Sequence, residues 1–129
     1  MVELRIHASD GRSVFANEVY AGHSQLANLV VELDRFKTHV HGGIHDIAFG
    51  AFGPEYAHGA FHARLHFQAR GILFATVRSQ SDFSDFGRKN VASEATLHIR
   101  TEPALLDNFI EELRQMSAGK RDDALLEAI

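Results

Sequence analysis

Phe61-His62-Ala63-Arg64-Leu65-His66-Phe67-Gln68-Ala69-Arg70-Gly71-Ile72-Leu73-Phe74-Ala75-Thr76-Val77-Arg78-Ser79-Gln80 is the stretch that decides the fold. Phe61, Ala63, Leu65 and Phe67 alternate with His62, Arg64, His66 and Gln68, the period-two pattern of a half-buried strand. After Gly71 the alternation resumes, with Leu73, Ala75 and Val77 on one face and Ile72, Phe74, Thr76 and Arg78 on the other. The turn sets the register. A two-residue loop at Arg70-Gly71 would pair Ala63 with Arg78 and drive a guanidinium onto the apolar face. A three-residue loop, Ala69-Arg70-Gly71 with Gly71 left-handed, pairs Phe67 with Leu73, Leu65 with Ala75 and Ala63 with Val77. The second register is the expectation, and slipping it by one residue would turn every side chain over.

Outward from this hairpin the same period recurs. Ala95, Leu97 and Ile99 alternate with Thr96, His98 and Arg100 in a strand over 95–101, and Leu4, Ile6 and Ala8 alternate with Glu3, Arg5 and His7 near the start. Ser9-Asp10-Gly11-Arg12 supplies turn chemistry, and a second strand over 13–20 completes a hairpin with a loop of about four residues. Ile47 to Phe52 reads as a further strand, followed by the connection Gly53-Pro54-Glu55-Tyr56-Ala57-His58-Gly59. The span 79–94, with its doubled Ser-Asp-Phe at 81–86, reads as a loop whose Phe83 and Phe86 tuck against the core edge.

Two segments change period. Leu26, Leu29, Val30, Leu33 and Phe36 form one helical stripe with Ser24 as N-cap. Leu106, Phe109, Ile110, Leu113 and Met116 form another, opened by Pro103 and closed by Gly119, and 122–129 is expected to add a helical turn or fray. The expected fold is therefore α+β, β-β-α-β-β-β-β-α: one domain over residues 1–129, with a mostly antiparallel sheet of about six strands and two helices packed on one face.

With 129 residues, 45% apolar and 23% charged, the chain can bury its own core. It contains no cysteine, which removes disulfides and thiolate metal sites and suggests a reducing, cytoplasmic setting. No apolar run reaches membrane-spanning length, so no membrane is expected. The net charge of −4 is spread without a basic arm, and nucleic acid is not an expected partner.

Three readings of function remain. The outward positions His62, Arg64, His66, Arg78, His98 and Arg100, with Phe74 among them, give one sheet face a cationic and partly apolar character; Arg5 and His7 could extend it. A mixed apolar and Arg-rich patch suits a protein partner or a homodimer. Six of nine histidines lie between His39 and His66, densest in His39-Val40-His41-Gly42-Gly43-Ile44-His45-Asp46. His39, His41 and His45 on this Gly-containing loop are the alternative: a metal site, zinc above all, or a small-ligand site. The spacing departs from that of metallo-β-lactamase-like hydrolases, which want Asp where this chain has Gly43 or Ile44, and no second motif of the cupin kind follows. Without either, no cofactor is expected. For an enzyme, the third reading, the sequence offers no catalytic residues: it has no Gly-x-Ser-x-Gly elbow, P-loop or dinucleotide fingerprint.

Phe15-Ala16-Asn17-Glu18-Val19-Tyr20 leading into the Leu26 to Leu33 helix, the apolar strand after Gly71, and Leu97-His98-Ile99-Arg100-Thr101-Glu102-Pro103 leading into the last helix make a recognisable order. In it the chain resembles the small bacterial proteins of unknown function related to the WapI-type immunity proteins of contact-dependent toxin systems. The resemblance implies a non-enzymatic protein that neutralises a toxin by binding it. It carries over no binding residues.

Overall fold

A computed structural model describes residues 1–53, 58–68 and 71–129. Strands β1 (Val2–Ser9) and β2 (Val14–Ala21) precede helix α1 (Gln25–Phe36), and β3 (Ile44–Phe49), β4 (Ala60–Phe67) and β5 (Leu73–Gln80) follow it. Short strands β6 (Ser84–Phe86) and β7 (Lys89–Val91) come next, then β8 (Glu94–Thr101) and helix α2 (Pro103–Ser117). The fold is α+β with antiparallel sheets, and the expected order holds once β6–β7 is counted as an insertion.

The central hairpin has the expected register: Phe67 opposes Leu73, Leu65 opposes Ala75 and Ala63 opposes Val77. Gly71 takes the left-handed conformation (φ 71°) that a side chain would strain, and the Gln68 N–H donates to the Ile72 carbonyl at 2.9 Å. Two other residues of that loop, Ala69 and Arg70, lie outside the described residues, as do Pro54 to Ala57 of the connection before β4. Around this hairpin, β3 joins β4 and β8 joins β5, giving a four-stranded sheet in the order β3-β4-β5-β8.

The remaining principal strands do not extend that sheet. β1 and β2 form their own two-stranded hairpin, Ser9 opposite Val14, across a four-residue turn in which the Asp10 carboxylate accepts the N–H groups of Arg12 and Ser13. Those bonds, Ser13's above all, hold the Asp10 carboxyl below the usual carboxylate range. The hairpin turns Leu4, Ile6, Val19 and Ala21 toward the common core. Asn17 shares this inner face, and its buried side-chain amide donates to the carbonyls of Ala60 (3.0 Å) and Gln80 (2.7 Å), at one end of β4 and β5. The backbones come close here: a methyl group on Gly59 would run into the Glu18 carbonyl.

Both helices cover the face that carries Phe61, Leu65, Phe67, Leu73, Val77 and Leu97. Leu29, Val30, Leu33 and Phe36 point inward from α1, and the Phe36 ring stacks on Phe67 with centroids 4.9 Å apart. Ser24 occupies the N-cap position but its side chain makes no capping bond; Gln25 instead accepts the Gly22 N–H and donates to the Ala48 carbonyl. In α2 the buried residues are Leu106, Ile110 and Leu113, with Phe109 and Met116 on the margins. Pro103 opens the helix, and at its other end the N–H groups of Gly119 and Lys120 donate back to the carbonyls of Met116 and Gln115, a Schellman closure with Gly119 at φ 74°. Across the helix pair, Arg114 meets Asp34 at 2.7 Å.

Three local expectations are corrected. The strand expected from Ile47 begins at Ile44 and ends at Phe49, where Gly50 turns the chain at φ 72°; His45 and Asp46 are strand residues. The expected loop over 79–94 contains the β6–β7 hairpin, and Phe86 at its tip is 70% exposed; Phe83 alone is half-buried. The last residues are not helical. They run back along β8, where the Ile129 N–H donates to the Arg100 carbonyl and the Thr101 hydroxyl donates to the Glu127 carbonyl, while Ala124 and Leu126 pack on the core. Among the described residues, no helix is long and apolar enough to cross a membrane.

Candidate protein-binding face

With both helices on one side, the other side of the four-stranded sheet is left facing outward, and the register fixes its pattern in cross-strand rows. The first row is Ile44, His66, Phe74 and Arg100, the second Asp46, Arg64, Thr76 and His98, and the third Ala48, His62, Arg78 and Thr96. All seven residues expected on the face, His62, Arg64, His66, Phe74, Arg78, His98 and Arg100, stand there together. Arg5 and His7 do not join them; they belong to the separate β1–β2 hairpin, where Arg5 opposes Glu18.

The first two rows enclose a shallow open depression of about 450 Å³, lined by Arg64, His66, Phe74, Thr76, His98 and Arg100. Phe74 is half-buried in its floor, and the Arg100 guanidinium lies over the ring 5.4 Å from its centre. Ile44 closes the row at 55% exposure.

Charge is distributed less simply than the sequence suggested. Asp46, placed on this face by the earlier start of β3, accepts two bonds from Arg64 (Nε to Oδ1 2.8 Å, Nη2 to Oδ2 3.2 Å), and His62 Nε2 stands 3.1 Å from Oδ1. The Arg64 hydrogen bond, more than its charge, holds the Asp46 carboxyl below its ordinary value, and the same bond raises the Arg64 guanidinium. At the far end Arg78 meets Glu94 at 3.4 Å and lies over the Phe52 ring at 4.2 Å. His98 Nδ1 is 3.5 Å from the Thr76 hydroxyl.

Comparison with known protein families, curated proteins and solved structures finds no match to this chain.

Sequence reasoning missed Ile44, Asp46 and Glu94 as members of the face. Extending the alternation of Ile47 and Phe49 backward puts Asp46 and Ile44 on the opposite side, so the signal was present, but Gly42-Gly43 and the histidines drew the loop too far. Glu94 falls one residue before the expected strand.

The structure does not bring His39, His41 and His45 together as one set of three ligands. His39 donates from Nδ1 to the Arg35 carbonyl at 2.9 Å, and the tight approach of Gly43 to His39 closes that turn. His41 is exposed, whereas His45 points to the core side of β3, its ring 5.8 Å from that of Phe36 and its Nε2 3.5 Å from a Glu32 oxygen. Among the described residues no group of three or more His, Cys, Asp or Glu side chains is placed to hold a metal. The reason is register: once His45 is a strand residue opposite Leu65, it faces inward, away from a shared site with His39 and His41.

Proposed function

We propose that this chain is a non-enzymatic protein-binding domain whose recognition surface is the outer face of the sheet β3-β4-β5-β8. The observation that carries the reading is the first cross-strand row, in which Phe74 supplies apolar area in an open depression, Arg100 and His66 flank the ring, and Ile44 adds apolar area at the end of the row. Aromatic and Arg anchors grouped in a concave patch, with paired charges around them, are the composition that interface centres favour. An immunity-like role, implied by the resemblance to the WapI-type proteins, is one form of this reading, and self-association is the other. A cytoplasmic setting belongs to the same proposal.

The test is the solution mass of the wild type by light scattering beside the double variant Phe74→Asp, Arg100→Glu, with circular dichroism to establish folding. A wild-type dimer that becomes a folded monomer in the variant assigns the face to self-association. A monomeric wild type leaves the face to a foreign partner. A dimer that survives both substitutions puts the contact elsewhere and sinks the reading.

A further inference from the structure

The charges on the outer face are not evenly matched, and the imbalance defines what would complement it. Asp46 is engaged by Arg64 and His62, and Glu94 by Arg78. Arg100, His66 and His98 have no carboxylate within ion-pair distance among the described residues, and they surround Phe74. The unmatched groups are thus one guanidinium and two imidazoles, and they lie on the apolar part of the face.

A second copy of this chain is a poor fit. An isologous contact centred on Phe74 would set Arg100 and the imidazoles of one copy against the same groups of the other, and like charges brought together as water leaves are costly. An acidic partner has the opposite effect. Resting on the reading of this face as a protein-binding surface, we infer that its partner presents an acidic segment, with carboxylates meeting Arg100 and the histidines on either side of an apolar side chain that covers Phe74. The spacing is definite. His66 and Arg100 lie on the strands that flank β5, so they straddle Phe74 by roughly 10 Å. Two acidic residues four positions apart in an extended segment face the same side about 13 Å apart, near enough for their side chains to lean in to that width, and the residue midway between them faces the ring.

The chain as a whole carries −4, so long-range attraction does not favour an anionic ligand and any affinity must come from the local patch. That makes a simple probe decisive. Fluorescently labelled random copolymers of Glu and Tyr, and of Lys and Tyr, are titrated with the wild type by anisotropy at low salt and again at high salt. The expected result is binding of the Glu,Tyr copolymer that weakens with salt and falls by about tenfold or more in Arg100→Glu and in Phe74→Asp. Arg12→Glu, the same charge change in the exposed β1–β2 turn, leaves it unchanged.

Equal losses in Arg12→Glu and Arg100→Glu mean bulk charge alone and overturn the inference. Preference for the Lys,Tyr copolymer, lost in Phe74→Asp, overturns the acidic partner and leaves the protein-binding face standing. So does a dimer dissolved by Phe74→Asp in a protein that binds neither copolymer. A monomer that binds neither overturns the acidic segment and leaves the protein-binding face to a partner of other chemistry.

Discussion

Asn17 is the residue on which the arrangement of the two larger sheets depends. It stands on the inner side of β2 between Phe15 and Val19, where alternation calls for an apolar side chain, and its buried amide adds a donor to two carbonyls at the ends of β4 and β5, tying the hairpin to the four-stranded sheet. Asn17→Ala should therefore cost about 2 kcal/mol, since each of the two buried hydrogen bonds it removes contributes roughly 0.5–1.5 kcal/mol, and the midpoint of urea unfolding should fall accordingly. Asp46 makes a weaker and pH-dependent contribution. Its folded-state carboxyl lies below the ordinary 3.8, so the stability it adds is fully present above that value and is lost as pH falls through the lowered one. Asp46→Asn should lower the melting temperature by roughly 1–3 °C at pH 7, as expected of an exposed pair, and the gap between variant and wild type should close in strong acid. Neither residue announced its role in the sequence. Asn17 looked like one polar position in a strand of uncertain register, because its partners lie 43 and 63 residues away. Asp46 was hidden by the glycines before it, which resemble a loop whether or not a strand follows immediately.

The elements were legible where period and punctuation agreed. Gly71 and the alternation on either side of it determined the β4–β5 pairing, and Pro103 with Gly119 bounded α2, because each glycine or proline there has one conformation that fits the flanking pattern. β6 and β7 were not legible, since three residues per strand carry no measurable period and the turn glycine, Gly87, also suits an open loop. The seven face residues were found for the same reason as the core: every second residue of a correctly registered strand shares a side. What the sequence withheld was their acidic neighbours, which depend on β3 and on the first residue of β8. At this scale β2 passes close over Gly59, where an added methyl group would meet the Glu18 carbonyl. Gly59→Ala should destabilise the fold by about 1–3 kcal/mol, the usual range for overpacking, and hydrogen exchange should quicken in β1 and β2 more than in α2. Equal quickening throughout would show that the hairpin does not open separately.

For the molecule as a whole, the expected sheet of about six principal strands resolves into four plus two. Edge bonding and face packing give the same alternation in a single strand, so the sequence could not say which of them joined the first hairpin to the rest. The same holds for the last eight residues, whose sequence permits helix yet whose place beside β8 is set by Thr101 and Arg100. Deleting residues 122–129 uncovers Ala124 and Leu126 and frees the edge of β8, and should cost about 2 kcal/mol at the usual value of apolar burial, measured by chemical denaturation. An unchanged midpoint would make the strap an ornament of the fold.

The buried amide of Asn17 also sets a timetable. Synthesis delivers the N-terminal hairpin first, but its two acceptors belong to residues 60 and 80, so while the nascent chain is emerging Leu4, Ile6 and Val19 have no completed surface to dock on. α2, which closes the core, emerges later still. A ribosome paused before residue 80 therefore holds a hairpin with its apolar side open to chaperones, and the domain closes late, as a unit, around the segment that was made first.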